Sequence, residues 1–347
     1  MRYPIRSALV ATTAAILLGS AAMLAPPTAS AVTIDWVTVG APNAADTRYM
    51  NCGPSRDSSC GAVAYTYNIG KYEVTNAQYA EFLNKVAAAD PNELYDQDMD
   101  PTAHGGITRS GSPGSYSYAA KSGFENKPVA FVSFWDAARF SNWLNNGQPT
   151  GAQSSLTTED GAYTLTPEAM AANSVLRNVG AIVFLPSENE WYKAAYYDPI
   201  ANLYYDYPTG TNAVTGCVVP GGDTGNSANC WPATAPMGAR TDVGAYALSD
   251  SPNGTFDQGG NLEEWTEQIK WGSDRGTLGG VWYADSSNLA AEDSYGNAVP
   301  SYFNDGIGFR VASVGEPSAP SIPEPSASLL FGTGLLVSVR AFRRRSR

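Results

Sequence analysis

The chain predicts an α+β fold with few helices, short strands and much irregular structure. Three observations predict it. Three segments carry helix-start signals followed by a one-sided apolar stripe, and the apolar runs between them are only strand-sized. Beyond Tyr196 the sequence turns rich in Gly, Asn, Pro and Thr, with single aromatics between them. The first helix starts at Thr75, where Thr75 and Gln78 form a capping box that satisfies free backbone N–H groups. Tyr79, Phe82, Leu83 and Val86 then share a face. The second starts near Ser133, with Asp136 three residues on. Ala137, Phe140 and Leu144 form its stripe, Trp143 borders it, and Gly147 ends it. The third starts at Ser187, paired with Glu190, and turns Trp191, Ala194 and Ala195 inward. Val129–Val132 and Ile182–Leu185 read as strands entering the second and third helices. The loops past Tyr196 need disulfides, bound ions or aromatic packing to order them.

Both ends are patterned. Arg2 and Arg6 precede an apolar run from Ala8 to Ala25, and small residues follow at Ala29, Ser30 and Ala31. Residues 1–31 therefore read as a secretory signal peptide; the run is short for a membrane anchor and ends in a cleavage-type site. Residues 32–314 read as one large domain, since no linker interrupts them and no fixed-period repeat is present. Residues 315–325 form a Pro/Ser-rich stalk. An apolar segment and a basic tail follow in 326–347, with Arg340, Arg343, Arg344, Arg345 and Arg347 at the end. The apolar run Ala327–Val339 is shorter than the ~20 residues of a permanent span, so it predicts only transient membrane contact.

Two of the 21 basic residues lie in the leader and five in the tail, and neither segment holds an acid. Residues 32–325 thus carry a net charge of −19. Nucleic acid and anionic membrane are excluded as electrostatic partners. The four cysteines fall into two local pairs, Cys52 with Cys60 and Cys217 with Cys230, both in loops. In an exported chain, two loop-closing disulfides are the simplest reading. A zinc site lacks CxxC spacing and has only His104 to draw on.

Five segments occur in a telling order: Tyr72-Glu73-Val74-Thr75-Asn76, Pro128-Val129 through Trp135-Asp136-Ala137, Leu185 through Trp191, Gly260 through Trp265, and Gly308-Phe309-Arg310-Val311. Together they resemble the sulfatase-modifying-factor domain of the formylglycine-generating enzymes over residues 34–313. The resemblance implies a C-type-lectin-like roll. That family oxidises a substrate cysteine with two of its own cysteines, which hold copper. Here Gly279-Gly280-Val281-Trp282-Tyr283-Ala284 stands where the first of them would fall, and Leu289 stands near the second. Neither side chain binds a soft metal, so no copper and no catalytic residue are expected. The resemblance also implies calcium at Gly259, Gly260, Asn261, Leu262 and Glu264, through a carboxylate and backbone carbonyls; capping of a turn without an ion is the other reading. Asn229 matches one ligand of a second calcium site, whose downstream Asp is replaced near Ala235. The C-terminal Pro323-Glu324-Pro325 pattern resembles the PEP-CTERM sorting signal of Gram-negative bacteria, which implies processing by an exosortase.

Other chemistry is thinly supplied. Asp96, Asp98 and Asp100 fail as a calcium loop because Pro101 and Ile107 replace its Gly and Glu. A hydrolase triad has only His104 and no nucleophile elbow. Glu263/Glu264 and Glu292/Asp293 are carboxylate pairs of unknown spacing. Trp282, Tyr283 and Asp285 flank the vacated cysteine position and form a candidate ligand groove, by stacking and hydrogen bonding. Packing alone is the competing reading for Trp282. Arg310 is expected to tie the domain end to an acidic partner. The expected function is an exported, surface-sorted binding or extracellular-matrix protein, with exopolysaccharide or an envelope protein as partner. The alternatives are an envelope oxidoreductase working through residues such as Glu264 or Asp285, and a plain structural spacer.

Overall fold

The computed structural model describes residues 31–40, 44–101, 103–232 and 240–314. The expected leader, stalk, sorting tail and Ala235 lie outside the described residues.

The three expected helices form with the expected caps. In α1 (Asn76–Val86) Thr75 Oγ1 accepts the Gln78 amide while Gln78 Oε1 accepts the Thr75 amide at 2.9 Å. Tyr79, Phe82, Leu83 and Val86 are all buried, as their spacing requires. α2 (Phe134–Asn145) starts at Ser133 and Asp136 in the same way, but its inner face is rotated from the expected stripe. Trp143 is fully buried and Leu144 only partly so. The Trp143 ring packs 5.2 Å from Phe82 and 5.8 Å from Phe140, and its Nε1–H donates to Pro149 O at 2.9 Å. A large ring with a satisfied N–H outcompetes leucine for the inside position. A short helix, α3 (Pro167–Ala171), capped by Thr166, precedes α4 (Glu188–Tyr196). In α4, Trp191, Ala194 and Ala195 are fully buried, as predicted.

Two four-stranded sheets organise the rest. In the first, Tyr67–Gly70 lies between Trp36–Val39 and Ala312–Ser313, and Val183–Phe184 completes the far edge, all antiparallel. The domain's first and last strands therefore share one neighbour, which fixes the Gly308–Val311 segment in place. In the second sheet, Glu263–Lys270 pairs antiparallel with Asp274–Leu278 and parallel with Ile307–Gly308, and Tyr295–Ala298 adds to the hairpin.

Two strand expectations need correction. Val129–Val132 forms no ladder: Phe131 takes a left-handed φ of 60°, and the segment is held singly, by Val129 N to Val74 O and Phe131 N to Asn304 O, both 2.9 Å. Conversely, the longest strand, Glu263–Lys270, falls where loops were expected. It carries no alternating apolar pattern, and three of its charges are paired inside: Glu264 with Arg310, Glu267 with Arg177 and Lys270 with Glu188.

Both expected disulfides are present, Cys52–Cys60 and Cys217–Cys230. The Asp96–Asp100 run forms a short turn, with Asp96 Oδ1 accepting the Asp98 amide at 2.7 Å. Among the described residues, no helix is long and apolar enough to cross a membrane.

Candidate functional site

The chain between Gly279 and Asp293 carries Ala284 and Leu289, where the resemblance places the family's two cysteines. Gly279 and Gly280 open it with φ of 109° and 71°. A Cβ on Gly280 would lie 2.8 Å from Asn288 O and 2.9 Å from Leu289 Cδ2, so only glycine lets the loop close on itself. Leu289 is fully buried, in a small cluster with Tyr207, Ala228 and Cys230. Ala284 is partly exposed, and its carbonyl accepts the Trp231 amide at 2.7 Å. Hydrocarbon thus fills the inner position outright.

The three expected groove residues separate into different roles. Trp282 packs against the main core and stacks on His104, with ring centroids 5.3 Å apart. Its indole nitrogen is buried and has no hydrogen-bond partner among the described residues. Tyr283 meets the Trp282 ring edge-on at 4.7 Å and is 46% exposed. Burial raises its hydroxyl pKa, and the Glu263 and Asp305 carboxylates add to the rise. Asp285 is spent locally: Oδ1 accepts the Ser287 amide at 2.9 Å and the Ser287 hydroxyl at 2.5 Å, capping the turn Ser286–Leu289.

The expected calcium residues do come together, in one hydrogen-bonded network. Asn261 is its hub, with φ of 61°. Its amide donates to Asn229 O at 2.9 Å, and its Oδ1 accepts Asn229 Nδ2 and the Thr241 amide, both at 3.1 Å. Its Nδ2 donates to Glu73 Oε2 at 2.9 Å, and Leu262 N donates to Glu73 Oε1 at 3.2 Å. Gly260 donates to Gly279 O, while Gly259 sits against Pro208 and Leu289. Glu264 is fully buried and faces Arg310, which is buried too. Both guanidinium bonds are 2.6 Å, and Trp191 Nε1 adds a third at 2.8 Å.

A calcium ion does not fit this donor set. The one side-chain carboxylate assigned to it is neutralised by a guanidinium that would stand against the ion, and the Asn261 oxygens are already engaged. Removing calcium with EDTA is therefore expected to leave the melting temperature unchanged. A calcium site at hundredfold excess over its Kd would instead contribute about 2.7 kcal/mol, visible as a shift of several degrees in a thermal melt.

At the far end of the same segment lies an open cavity of about 690 Å³, which no motif announced. Tyr49, Tyr207, Glu292 and Asp293 contribute walls, and Arg48 and Asn51 supply donors. Trp282, Tyr283 and Asp285 do not line it. Asp285 reaches it through Ser287, a lining residue whose amide and hydroxyl it accepts, and through its field, which adds to burial and Asp206 in raising the Tyr207 pKa. Tyr207 was legible only as one of many aromatics in a loop, and Glu292/Asp293 only as an adjacent acidic pair.

Similarity to known proteins follows this geometry. Residues 45–314 match the sulfatase-modifying factor enzyme 1-like domain. Among solved structures, Treponema denticola variable protein 1 superposes with a TM-score of 0.51 at 16% identity, covering 82% of this chain and 97% of its own. CarF gives 0.49 at 20% identity, with 81% and 98% covered, and PvdO from Pseudomonas aeruginosa gives 0.46 at 18%, with 81% and 91% covered. No curated protein matches. The matched span holds the second sheet, all of the first but its edge strand Trp36–Val39, the Asn261 hub and the Gly279–Asp293 segment, and on it the chain belongs to the sulfatase-modifying factor enzyme 1-like family.

Proposed function

We propose that the protein is an exported, surface-sorted binding or matrix protein, in which this domain presents a ligand surface instead of oxidising a cysteine. The observation that carries the reading is the pair Ala284 and Leu289 at the positions of the family's copper-binding thiols, with Leu289 packed into the interior. An aliphatic side chain offers neither a soft-metal ligand nor a partner for thiol exchange. The remaining family machinery is structural: Glu264 and Arg310 are consumed by each other. The two disulfides suit an oxidising compartment. The leader and the Pro-Glu-Pro tail supply export, exosortase processing and a transient membrane contact. Exopolysaccharide or an envelope protein is then the partner at the surface.

The test combines two measurements on purified protein. With copper and a cysteinyl peptide, oxygen consumption is expected to stay at the peptide-free level. Immobilised protein is expected to retain exopolysaccharide or an envelope protein from the producing cell. Peptide-dependent oxygen uptake with aldehyde formation would falsify the reading.

A further inference from the structure

We propose that the cavity between Tyr49 and Asp293 is a carbohydrate subsite for a neutral, hydroxyl-rich glycan chain. The inference rests on the binding reading above and names its ligand class and place. At about 690 Å³ the cavity matches ordinary small-ligand sites, which span roughly 300–1,000 Å³.

Its wall is held in shape by a fixed ionic network. Arg48 donates from Nε and Nη2 to the two Asp46 oxygens at 2.9 and 2.8 Å, and from Nη1 to Asp206 at 2.6 Å. The Tyr49 hydroxyl donates to the same Asp206 at 3.3 Å, and the Arg48 guanidinium lies 5.1 Å from the Tyr49 ring centroid. Asn51 Nδ2 ties the opposite wall by donating to Glu292 O at 2.6 Å. Backbone and rings are thereby set before any ligand arrives, which reduces the ordering cost of binding.

The chemistry selects the ligand. Glu292 and Asp293 are exposed, and their carboxylates make no hydrogen bond among the described residues. Arg48 is already matched by two aspartates, so the lining is net negative and repels uronates, phosphates and nucleic acid. A basic peptide would gain little, because Glu292 and Asp293 are exposed and ion pairs to exposed carboxylates are weak. A neutral sugar uses the groups that Arg48 and its aspartates leave open. Its vicinal hydroxyls donate to Glu292 and Asp293 and accept from Asn51, and its C–H face lies on the Tyr49 ring.

The test uses protein exported by cells expressing the full chain. Binding of neutral hexasaccharides (cello-, laminari- and mannohexaose), oligogalacturonate and decalysine is measured by calorimetry. At least one neutral hexaose is expected to bind, and oligogalacturonate and decalysine are not. Tyr49→Ala, and separately the pair Glu292→Gln with Asp293→Asn, are expected to weaken that binding about tenfold or more, with the melting temperature of the acid pair unchanged. Tyr283→Ala, on the separate aromatic face, is expected to leave it unaltered. Sugar binding lost with Tyr283→Ala but untouched by the cavity variants overturns the cavity and leaves the binding reading standing. Decalysine binding, or no binding by any neutral hexaose, also overturns the proposal. The oxygen-uptake assay separately decides whether the binding reading falls with it.

Discussion

Arg310→Ala is expected to cost about 3–5 kcal/mol of folding stability, the largest single-residue effect outside the aromatic core. Arg310 and Glu264 are both fully buried, and Glu264 takes two bonds from the guanidinium and one from Trp191. The remaining Arg310 donors reach Gly70 O and Phe256 O, both at 2.9 Å. Removing the cation leaves the Glu264 charge and those carbonyls without a partner in a medium that cannot solvate them. Urea unfolding should show the loss, and the melting temperature should fall by roughly 10 °C. Arg310→Lys is expected to recover little, because one ammonium cannot span a two-oxygen fork and two carbonyls. The double variant Glu264→Gln with Arg310→Met should regain much of the stability, since it removes both charges together. A loss below about 1 kcal/mol for Arg310→Ala would show that solvent reaches the pair after all.

That pair also marks how far the sequence could be read. Capping boxes and apolar stripes act over three or four residues, so α1, α2 and α4 were legible, as were the local cysteine pairs. Arg310 was expected to tie the domain end to an acidic partner, as it does, but Glu264 lies 46 residues away and nothing local names it. The strand Glu263–Lys270 was hidden for the same reason. A glutamate that will be neutralised by a distant arginine looks, in sequence, like a solvated one. Trp143 displaced Leu144 because ring size and a satisfied indole decide an inside position that periodicity alone leaves open. Ala284 and Leu289 could be singled out from the motif, whereas the cavity at Tyr49 and Asp293 could not. Its walls come from segments about 240 residues apart, joined by contacts such as Asn51 to Glu292.

Stability is expected to rise as the pH falls from about 7.5 to about 5, and then to collapse below about 4. Burial pushes Asp136 up to about 6, even though the Ser133 amide and hydroxyl bond to it. Burial likewise pushes Asp257 up to about 6, against a bond from the Gly244 amide and the charge of Arg310. Glu73 is likewise held well above the usual carboxylate range by burial, with repulsion from Asp257 and Glu264 added. In the unfolded chain such groups titrate near ~4. Between that value and the folded one, the native state holds protons the unfolded state has released. The stabilisation is therefore complete below the unfolded pKa and is lost as the pH rises through about 6, at about 1–3 kcal/mol for each aspartate. Glu190 and Asp46 act in the opposite sense. Burial works to raise both, but the Arg177 and Arg48 guanidiniums outweigh it and hold them below the usual carboxylate range. Their contribution is present above ~4 and disappears as acid protonates them and breaks both ion pairs. Asp257→Asn is the discriminating variant. Its amide oxygen can still accept the Gly244 N–H, so it should gain about 1–2 kcal/mol at pH 7.5, roughly half of that at pH 5 and nothing near pH 4, and flatten the profile between them. Chemical denaturation at several pH values reads this directly, and a wild-type profile that climbs from pH 5 to 7.5 would place those carboxylates in water.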